Sequence, residues 1–341
     1  TMKAENILEI KDLKVKFPVT GGLLLRKVAE VKAVDGVSLE MRKGETLGLV
    51  GESGCGKSTI GKAVINILKF SSPDVDITGE VWIKTDKGEI DLLKLNRHDM
   101  RQHRGIIQMI FQDPYSSLNA RLTVGQIIEE PMLYHTDLSK NARLERVSWL
   151  LEKVGLQPEQ SKRYPHEFSG GQRQRIGIAR SLSTNPKIII ADEPVSALDV
   201  SIQAQVINLL QELQNEFDLS IMFIAHDLSV VEHISSRIAV MYLGNIVELG
   251  PGKDIYHNPI HPYSRALLSA VPVPNPKRKK KDRTILTGDV PTPMNKPSGC
   301  AFRTRCPIAK PECADAIPPL ELKAENHFAA CPNVTADEIR V

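Results

Sequence analysis

The chain has 341 residues, of which 25% are charged and 41% hydrophobic, with a formal net charge of +3. That length suits about two domains on a prior of ~150 residues each, and the composition is ordinary for a globular protein. So small a net charge excludes a nucleic-acid role resting on bulk charge alone. No run approaches the ~18 consecutive apolar residues of a membrane span, and Met2-Lys3-Ala4-Glu5-Asn6 leads into no signal-like apolar stretch. The expectation is a chain that is neither exported nor itself membrane-spanning, so any membrane role passes through a partner.

Taken in chain order, residues 7–17 alternate in the strand manner, with Leu13, Val15 and Phe17 on one face. An interruption from Pro18 to Glu30, containing Gly21-Gly22, precedes a second alternating stretch at Val31-Lys32-Ala33-Val34. Thr46 to Val50 is a short apolar strand, and Ser58 to Leu68 reads as one helix. Residues 77–91 suit a hairpin turning at Asp86-Lys87-Gly88. From about Pro114 to Arg180 the pattern is helical, with a stripe of Leu144, Val147, Leu151 and Val154. Ile188–Ala191 and Ser220–Ala225 are continuous apolar runs suited to buried parallel strands. Val206, Leu210, Leu213 and Phe217 mark an amphipathic helix between them. Alternating strands and helices predict an α/β core with a parallel sheet. Beyond Gly250 the character changes. Pro272 to Pro276 followed by Lys277 to Lys281 reads as a stiff, solvated linker, whose basic run is an exposed turn, with contact to lipid headgroups or nucleic acid as the alternative.

Gly51-Glu52-Ser53-Gly54-Cys55-Gly56-Lys57-Ser58 lies between the strand and the helix and reads as a phosphate-binding loop. Its glycines let backbone N–H groups wrap phosphate oxygens closely, and the helix that follows adds its N-terminal partial charge. Lys57 is placed to reach the β- and γ-phosphates, and Ser58, followed by Thr59, to offer its hydroxyl to Mg²⁺. Asp192 ends a buried strand, which would aim its carboxylate at the same Mg²⁺. Ser169, Gly170, Gly171 and Gln172 present a hydroxyl, N–H groups and a helix N-terminus, a second anion site. Phe17 is a candidate to stack on adenine, with a place in the core beside Leu13 and Val15 as the alternative.

Four of the five cysteines, Cys300, Cys306, Cys313 and Cys331, crowd into the end of the chain, a pattern that suggests a metal site outside oxidising compartments. Their intervals of 6, 7 and 18 residues contain no Cys-x-x-Cys pair, the commonest zinc hallmark. They do supply the four thiolates of a cubane cluster. Phe302, Pro307, Pro318 and Pro319 suit a wrapped loop with little core of its own, which metal would hold folded.

In this order, the phosphate loop, Phe168-Ser169-Gly170-Gly171-Gln172, Ile188 to Glu193, Ser196-Ala197-Leu198-Asp199 and Ile224-Ala225-His226 resemble the ATP-binding cassette (ABC) ATPases. The resemblance extends over nearly the whole chain to ATPase subunits of bacterial dipeptide and oligopeptide importers. It is carried further by Phe111 to Asn119, Ala191 to Ser201, His261-Pro262-Tyr263-Ser264 and Gly299 to Pro307. It implies a P-loop NTPase core with an antiparallel β subdomain and an α-helical signature subdomain (about 114–180). The cassette would occupy 1–250, with an extension over 251–341 whose Cys-rich tail spans about 295–335. Glu193 would be the general base, His226 the γ-phosphate switch, and Gln112 the sensor of Mg²⁺ and water. Ser169 to Gln172 would clamp ATP held by the opposite subunit, with Asp199 in the loop crossing that interface. ATP and Mg²⁺ are the implied ligands, and the resemblance favours a [4Fe–4S] cluster over zinc at the cysteines. The implied partners are a second ATPase subunit, two membrane-spanning permeases and an external peptide-binding protein, with the chain peripheral on the cytoplasmic face and no nucleic acid. An importer of nickel or another solute is the alternative, and a non-transport cassette ATPase a more distant one.

Overall fold

The computed structural model describes residues 5–21, 26–270 and 289–334, so the expected Pro272–Lys281 linker lies outside the described residues. The strands are β1 (Asn6–Gly21), β2 (Arg26–Arg42), β3 (Thr46–Val50), β4 (Asp76–Thr85), β5 (Gly88–Asp91) and β6 (Ile107–Ile110). They continue with β7 (Ile188–Asp192), β8 (Ser220–Ala225), β9 (Arg237–Tyr242), β10 (Asn245–Pro251), β11 (Glu321–Ala324) and β12 (His327–Ala329). Two compact units form. The first gathers Met41–Glu45, Ile83–Ile224 and the described residues of Thr1–Leu8. The second gathers Thr46–Trp82 and the described residues of Glu9–Glu40 and Ala225–Val341.

In the first unit β6 pairs in parallel with β7, and β7 with β8, in a register that sets Ile188 opposite both Ile107 and Ser220. Every residue of β7 and β8 is buried, as continuous apolar runs covered on both faces require. Helices Val124–His135, Lys140–Lys153, Gly170–Leu182 and Val200–Phe217 complete this unit. Thr123 opens the first with a capping box to Gln126, so the helical region starts ten residues later than Pro114. In Lys140–Lys153 the buried side chains are Val147, Leu150 and Leu151. Leu144 is 48% exposed, so the expected stripe is corrected: the packed face starts one turn later and includes Leu150. The 200–217 helix buries Val206, Leu210 and Leu213 as expected, and Phe217 meets Trp149 edge-on with ring centroids 5.5 Å apart.

In the second unit β3 runs parallel to β9, and β9 is antiparallel to β10. The two strands of the C-terminal tail then add to the same edge, β12 antiparallel to β10 and β11 to β12. The tail has little core, as expected, but that core is not left to metal alone. Glu321–Ala324 and His327–Ala329 join the sheet, Phe302 is 1% exposed, and Ile260, Ala329, Cys331 and Val334 form a buried cluster. Strand addition and this burial supply what the sequence pattern assigned to metal.

A second sheet has β2, β1 and β4 as successive neighbours. Here β1 runs on through Pro18 to Gly21 and β2 begins at Arg26, which corrects the interruption expected from Pro18 to Glu30. Alternation fails as a signal there because the ladder continues where the side chains are no longer buried; Val28 is 66% exposed. The hairpin from β4 to β5 turns through Asp86-Lys87 as expected. The helix after the phosphate loop is shorter than the expected 58–68. It covers Lys57–Val64, and a separate turn covers Leu68–Ser71. Asn66, at φ +52°, takes the left-handed conformation that ends helices.

Candidate functional site

The candidate residues fall into four groups, each described within its own unit. In the second unit, β3 delivers the chain to the phosphate loop. Gly51 and Gly56 have φ of +154° and +106°, and a Cβ on them would lie 2.2 Å from the Met241 carbonyl oxygen and 2.1 Å from that of Ala33. Only glycine fits there, because both the dihedral and the close backbone approach exclude a side chain. Gly56 is the N-cap of the Lys57–Val64 helix and provides no side-chain cap of its own, as suits a helix N-terminus turned to an anion. Lys57 is 4% exposed and its Nζ donates to the carbonyls of Gly51 at 2.8 Å and Glu52 at 3.0 Å. Cys55 is buried with its Sγ 3.8 Å from that ammonium; burial pushes its thiol up against the opposing pull of Lys57. Ser53 and Gly54 are exposed. A helix N-terminus opened by glycine, a glycine cradle and a lysine are the donor set of a polyphosphate site, so the loop fits ATP.

Two contacts on this loop come from the far end of the chain and were not anticipated as functional. The Glu52 N–H donates to the Tyr263 hydroxyl at 2.9 Å, and the Glu52 carboxylate takes Arg305 at 3.1 to 3.4 Å. Tyr263 and Arg305 stood inside the segments His261–Ser264 and Gly299–Pro307, but nothing local to either marks a partner more than two hundred residues away. Burial pushes the Tyr263 phenol well up, so it stays neutral. Phe17, on β1, is half-buried while Leu13 and Val15 are fully buried. His226, exposed, directly precedes Asp227, the N-cap of the Leu228–Ile234 helix.

In the first unit, Asp192 ends β7 and is 3% exposed. Glu193 follows at φ +45°, an uncommon conformation for a residue with a Cβ. The strain is held in place by its neighbours: Glu193 N–H donates to Ile224 O at 2.9 Å, and Ser196 Oγ donates to Glu193 O at 3.1 Å. The turn sends its side chain away from the strand, and Gln112 Nε2 donates to Glu193 Oε2 at 2.9 Å. The structure thus joins two residues 81 positions apart. Arg180 braces the segment after Gln112, donating to Ser117 O at 2.6 Å and lying 5.6 Å from the Phe111 ring centroid. Arg180 carried no sequence signal beyond its basic helix.

Ser169 is the N-cap of the Gly170–Leu182 helix. Its Oγ accepts from Gln172 N–H at 3.4 Å, and the Gln172 side chain accepts from Ser169 N–H at 3.0 Å. Ser169 and Gly170 are exposed, while a Cβ on Gly171 would lie 2.6 Å from Ile202 Cγ2. Asp199 caps the next helix, accepting from Ile202 N–H at 3.2 Å and from Ser201 Oγ at 3.1 Å.

All four tail cysteines are free thiols, Cys331 buried and the others half-buried. Cys300 N–H donates to Cys313 O at 2.8 Å, and Asn333 Nδ2 lies 3.3 Å from Cys313 Sγ. Burial raises Cys300 and Cys331 and pushes Cys306 up to about 11, with neighbouring thiols adding to each rise. The donor set suits iron–sulfur or zinc in kind. In arrangement it does not: among the described residues no group of three or more His, Cys, Asp or Glu is set to hold a metal ion.

Comparison with known proteins agrees with this geometry. The family described as ABC transporter matches residues 34–196, and the one described as oligopeptide/dipeptide transporter, C-terminal region, matches 247–313. The chain is 54% identical over 329 residues to the oligopeptide transport ATP-binding protein AppF of Bacillus subtilis (strain 168), covering 96% of this chain and 97% of that protein. It is 55% identical over 333 residues to the oligopeptide transport ATP-binding protein OppF of Salmonella typhimurium, covering 96% of each. Among solved structures, the ATP-binding cassette MJ0796, a dimer in a post-hydrolysis state bound to ADP and Pi, superposes with a TM-score of 0.60 at 28% identity, over 72% of this chain and 98% of that one.

Proposed function

Because this chain belongs to the ABC transporter family, in the group that carries the oligopeptide/dipeptide C-terminal region, we propose that it hydrolyses ATP to drive import of dipeptides or oligopeptides. The observation that carries the chemistry is the Gln112–Glu193 hydrogen bond on a strained backbone turn. A carboxylate displaced from its strand, and held by an amide, is a base poised to take a proton from water while the amide orients it. The phosphate loop would bind the β- and γ-phosphates through Gly51 to Thr59, with Lys57 exchanging its loop carbonyls for phosphate oxygens. Ser58, Asp192 and Gln112 would hold Mg²⁺, which offsets phosphate charge when bound. His226 would contact the γ-phosphate and Phe17 the adenine. Ser169 to Gln172 and Asp199 would act across a cassette dimer, a reading supported by the exposure of Ser169, Gly170 and Asp199 and by the dimeric form of a similar cassette.

No helix among the described residues is long and apolar enough to cross a membrane. Transport therefore calls for permease subunits, with this chain peripheral on their cytoplasmic side and a peptide-binding protein outside. The division into a cassette (1–250, helical part about 114–180) and an extension (251–341, Cys-rich over about 295–335) is supported by the second family match beginning at residue 247. A [4Fe–4S] cluster at Cys300, Cys306, Cys313 and Cys331, or zinc there, remains a proposal resting on four thiols and the resemblance. It requires the thiols to draw together, and no step of hydrolysis runs through it. Anaerobic protein with about four irons and four sulfides per chain supports the cluster; colourless protein with one zinc replaces it. The decisive test of the main reading is ATP turnover by the chain with its permeases in proteoliposomes. Stimulation by peptide-loaded binding protein is expected, and stimulation only by a nickel-loaded one would overturn the peptide assignment.

A further inference from the structure

Within the phosphate loop, Glu52 puts a carboxylate into a cradle otherwise built for anions. An unpaired carboxylate there would repel the polyphosphate it helps to surround. The extension meets that carboxylate. Arg305 Nη1 lies 3.1 Å from Glu52 Oε2 and 3.4 Å from Oε1, Nη2 lies 3.4 Å from Oε1, and Nη1 reaches the Tyr242 hydroxyl at 3.5 Å. The Arg305 side chain is 8% exposed and that of Glu52 26%, so water screens the pair less than a surface pair.

The arginine is held rather than draped. Arg305 N–H donates to Phe302 O at 2.9 Å, and the Phe302 ring packs on Tyr242 and Tyr263 with centroids 5.3 and 5.4 Å apart. Tyr263 in turn accepts the Glu52 N–H. A second stretch of the extension, Val290 to Pro293, faces Glu52 to Cys55 across a cavity of about 250 Å³. The backbone and the side chain of one loop residue are thus both gripped by the C-terminal extension.

We propose that Arg305 is a positioning residue for nucleotide binding, which neutralises Glu52 and so lets the phosphate loop accept the phosphates of ATP. This rests on the phosphate loop being the ATP site, and it gives the extension a role in the cassette that needs no metal. Arg305 acts through Glu52 and does not touch the nucleotide itself.

The test measures binding of a fluorescent ATP analogue with Mg²⁺ to the full chain. Arg305→Met keeps the stem and removes the charge. It is expected to weaken binding roughly tenfold, the scale of one uncompensated neighbouring charge. The loss shrinks as salt is raised from low to high concentration, Arg305→Lys recovers most of the affinity, and adding Glu52→Gln to Arg305→Met does the same. A purely structural role would give a loss that neither salt nor Glu52→Gln relieves. Should the methionine variant not melt cooperatively, Arg305→Gln carries the same expectation. Wild-type affinity in the charge-removing variants, or a double variant as weak as the single one, overturns the proposal. Failure of the wild-type chain to bind the analogue would instead overturn the reading of the loop as an ATP site.

Discussion

At the residue scale, the proposed chemistry turns on Glu193. A left-handed backbone at a residue with a Cβ costs of order 1–3 kcal/mol, and here it is kept by the hydrogen bonds to Ile224 and Ser196. What the strain achieves is direction: Asp192 stays with the buried strand while the next carboxylate meets Gln112. Glu193→Gln keeps the size of the side chain and an oxygen for Gln112 but removes the proposed base. ATP turnover is expected to fall by about 10²–10⁴-fold, with nucleotide binding retained and an ATP-loaded dimer accumulating on size exclusion. Turnover close to the wild type would remove Glu193 from the role.

At the element scale, helix ends do the positioning. The Lys57–Val64 helix begins at a glycine without a side-chain cap, whereas the Gly170–Leu182 helix is closed by a reciprocal Ser169–Gln172 box. Ser169→Arg therefore does two separable things. It removes a cap worth about 1 kcal/mol, and it fills the exposed surface proposed to meet the partner's ATP. Hydrolysis is expected to stop while nucleotide binding by the isolated chain stays within about threefold, since that binding belongs to the phosphate loop. Loss of binding in a folded variant would place the signature in its own chain's site. The tail shows the same logic for strands. Phe302 is fully buried against the rings of Tyr242 and Tyr263, and Phe302→Ala is expected to cost about 3–5 kcal/mol. The readout is protease cleavage in 290–334 under conditions where the wild type resists.

At the scale of the whole molecule, the extension is tied to the cassette by a buried polar centre. The Glu248 carboxylate, fully buried, accepts from Ile260 N–H at 2.6 Å and His261 N–H at 3.0 Å, and lies 2.7 Å from His327 Nε2. Removing it leaves buried donors unpaired, so Glu248→Ala is expected to destabilise by about 3–5 kcal/mol, read as a fall in Tm. His261, at 1% exposure, is held low, at about 4, because burial disfavours its charged form; Glu248 opposes this and Arg265 adds to it. The sign follows from proton binding: between pH 6.5 and 4 the unfolded histidine is protonated and the folded one is not. Its contribution is therefore fully present above pH 6.5 and is lost as pH falls toward 4, on the order of 3 kcal/mol in all. Carboxylates titrate in the same window, so the measurement compares the wild type with His261→Asn. The wild type should lose more Tm across pH 6.5 to 4, and parallel curves would refute it.

The sequence by itself determined the parallel strands of the core and the phosphate-loop motif on which the proposed ATP site rests. Continuous apolar runs at Ile188–Ala191 and Ser220–Ala225 permit little but buried strands, and the phosphate loop is local chemistry written in consecutive residues. It also carried the family, through motifs in fixed order. What only the tertiary structure decided is who meets whom. Gln112 on Glu193, Tyr263 and Arg305 on Glu52, and β12 on β10 are contacts between distant segments, which no periodicity encodes. The strands of the tail were missed for that reason: His327–Ala329 has no pattern of its own, and Phe302 no local partner, until the edge of β10 and the rings of Tyr242 and Tyr263 supply the other half of the packing.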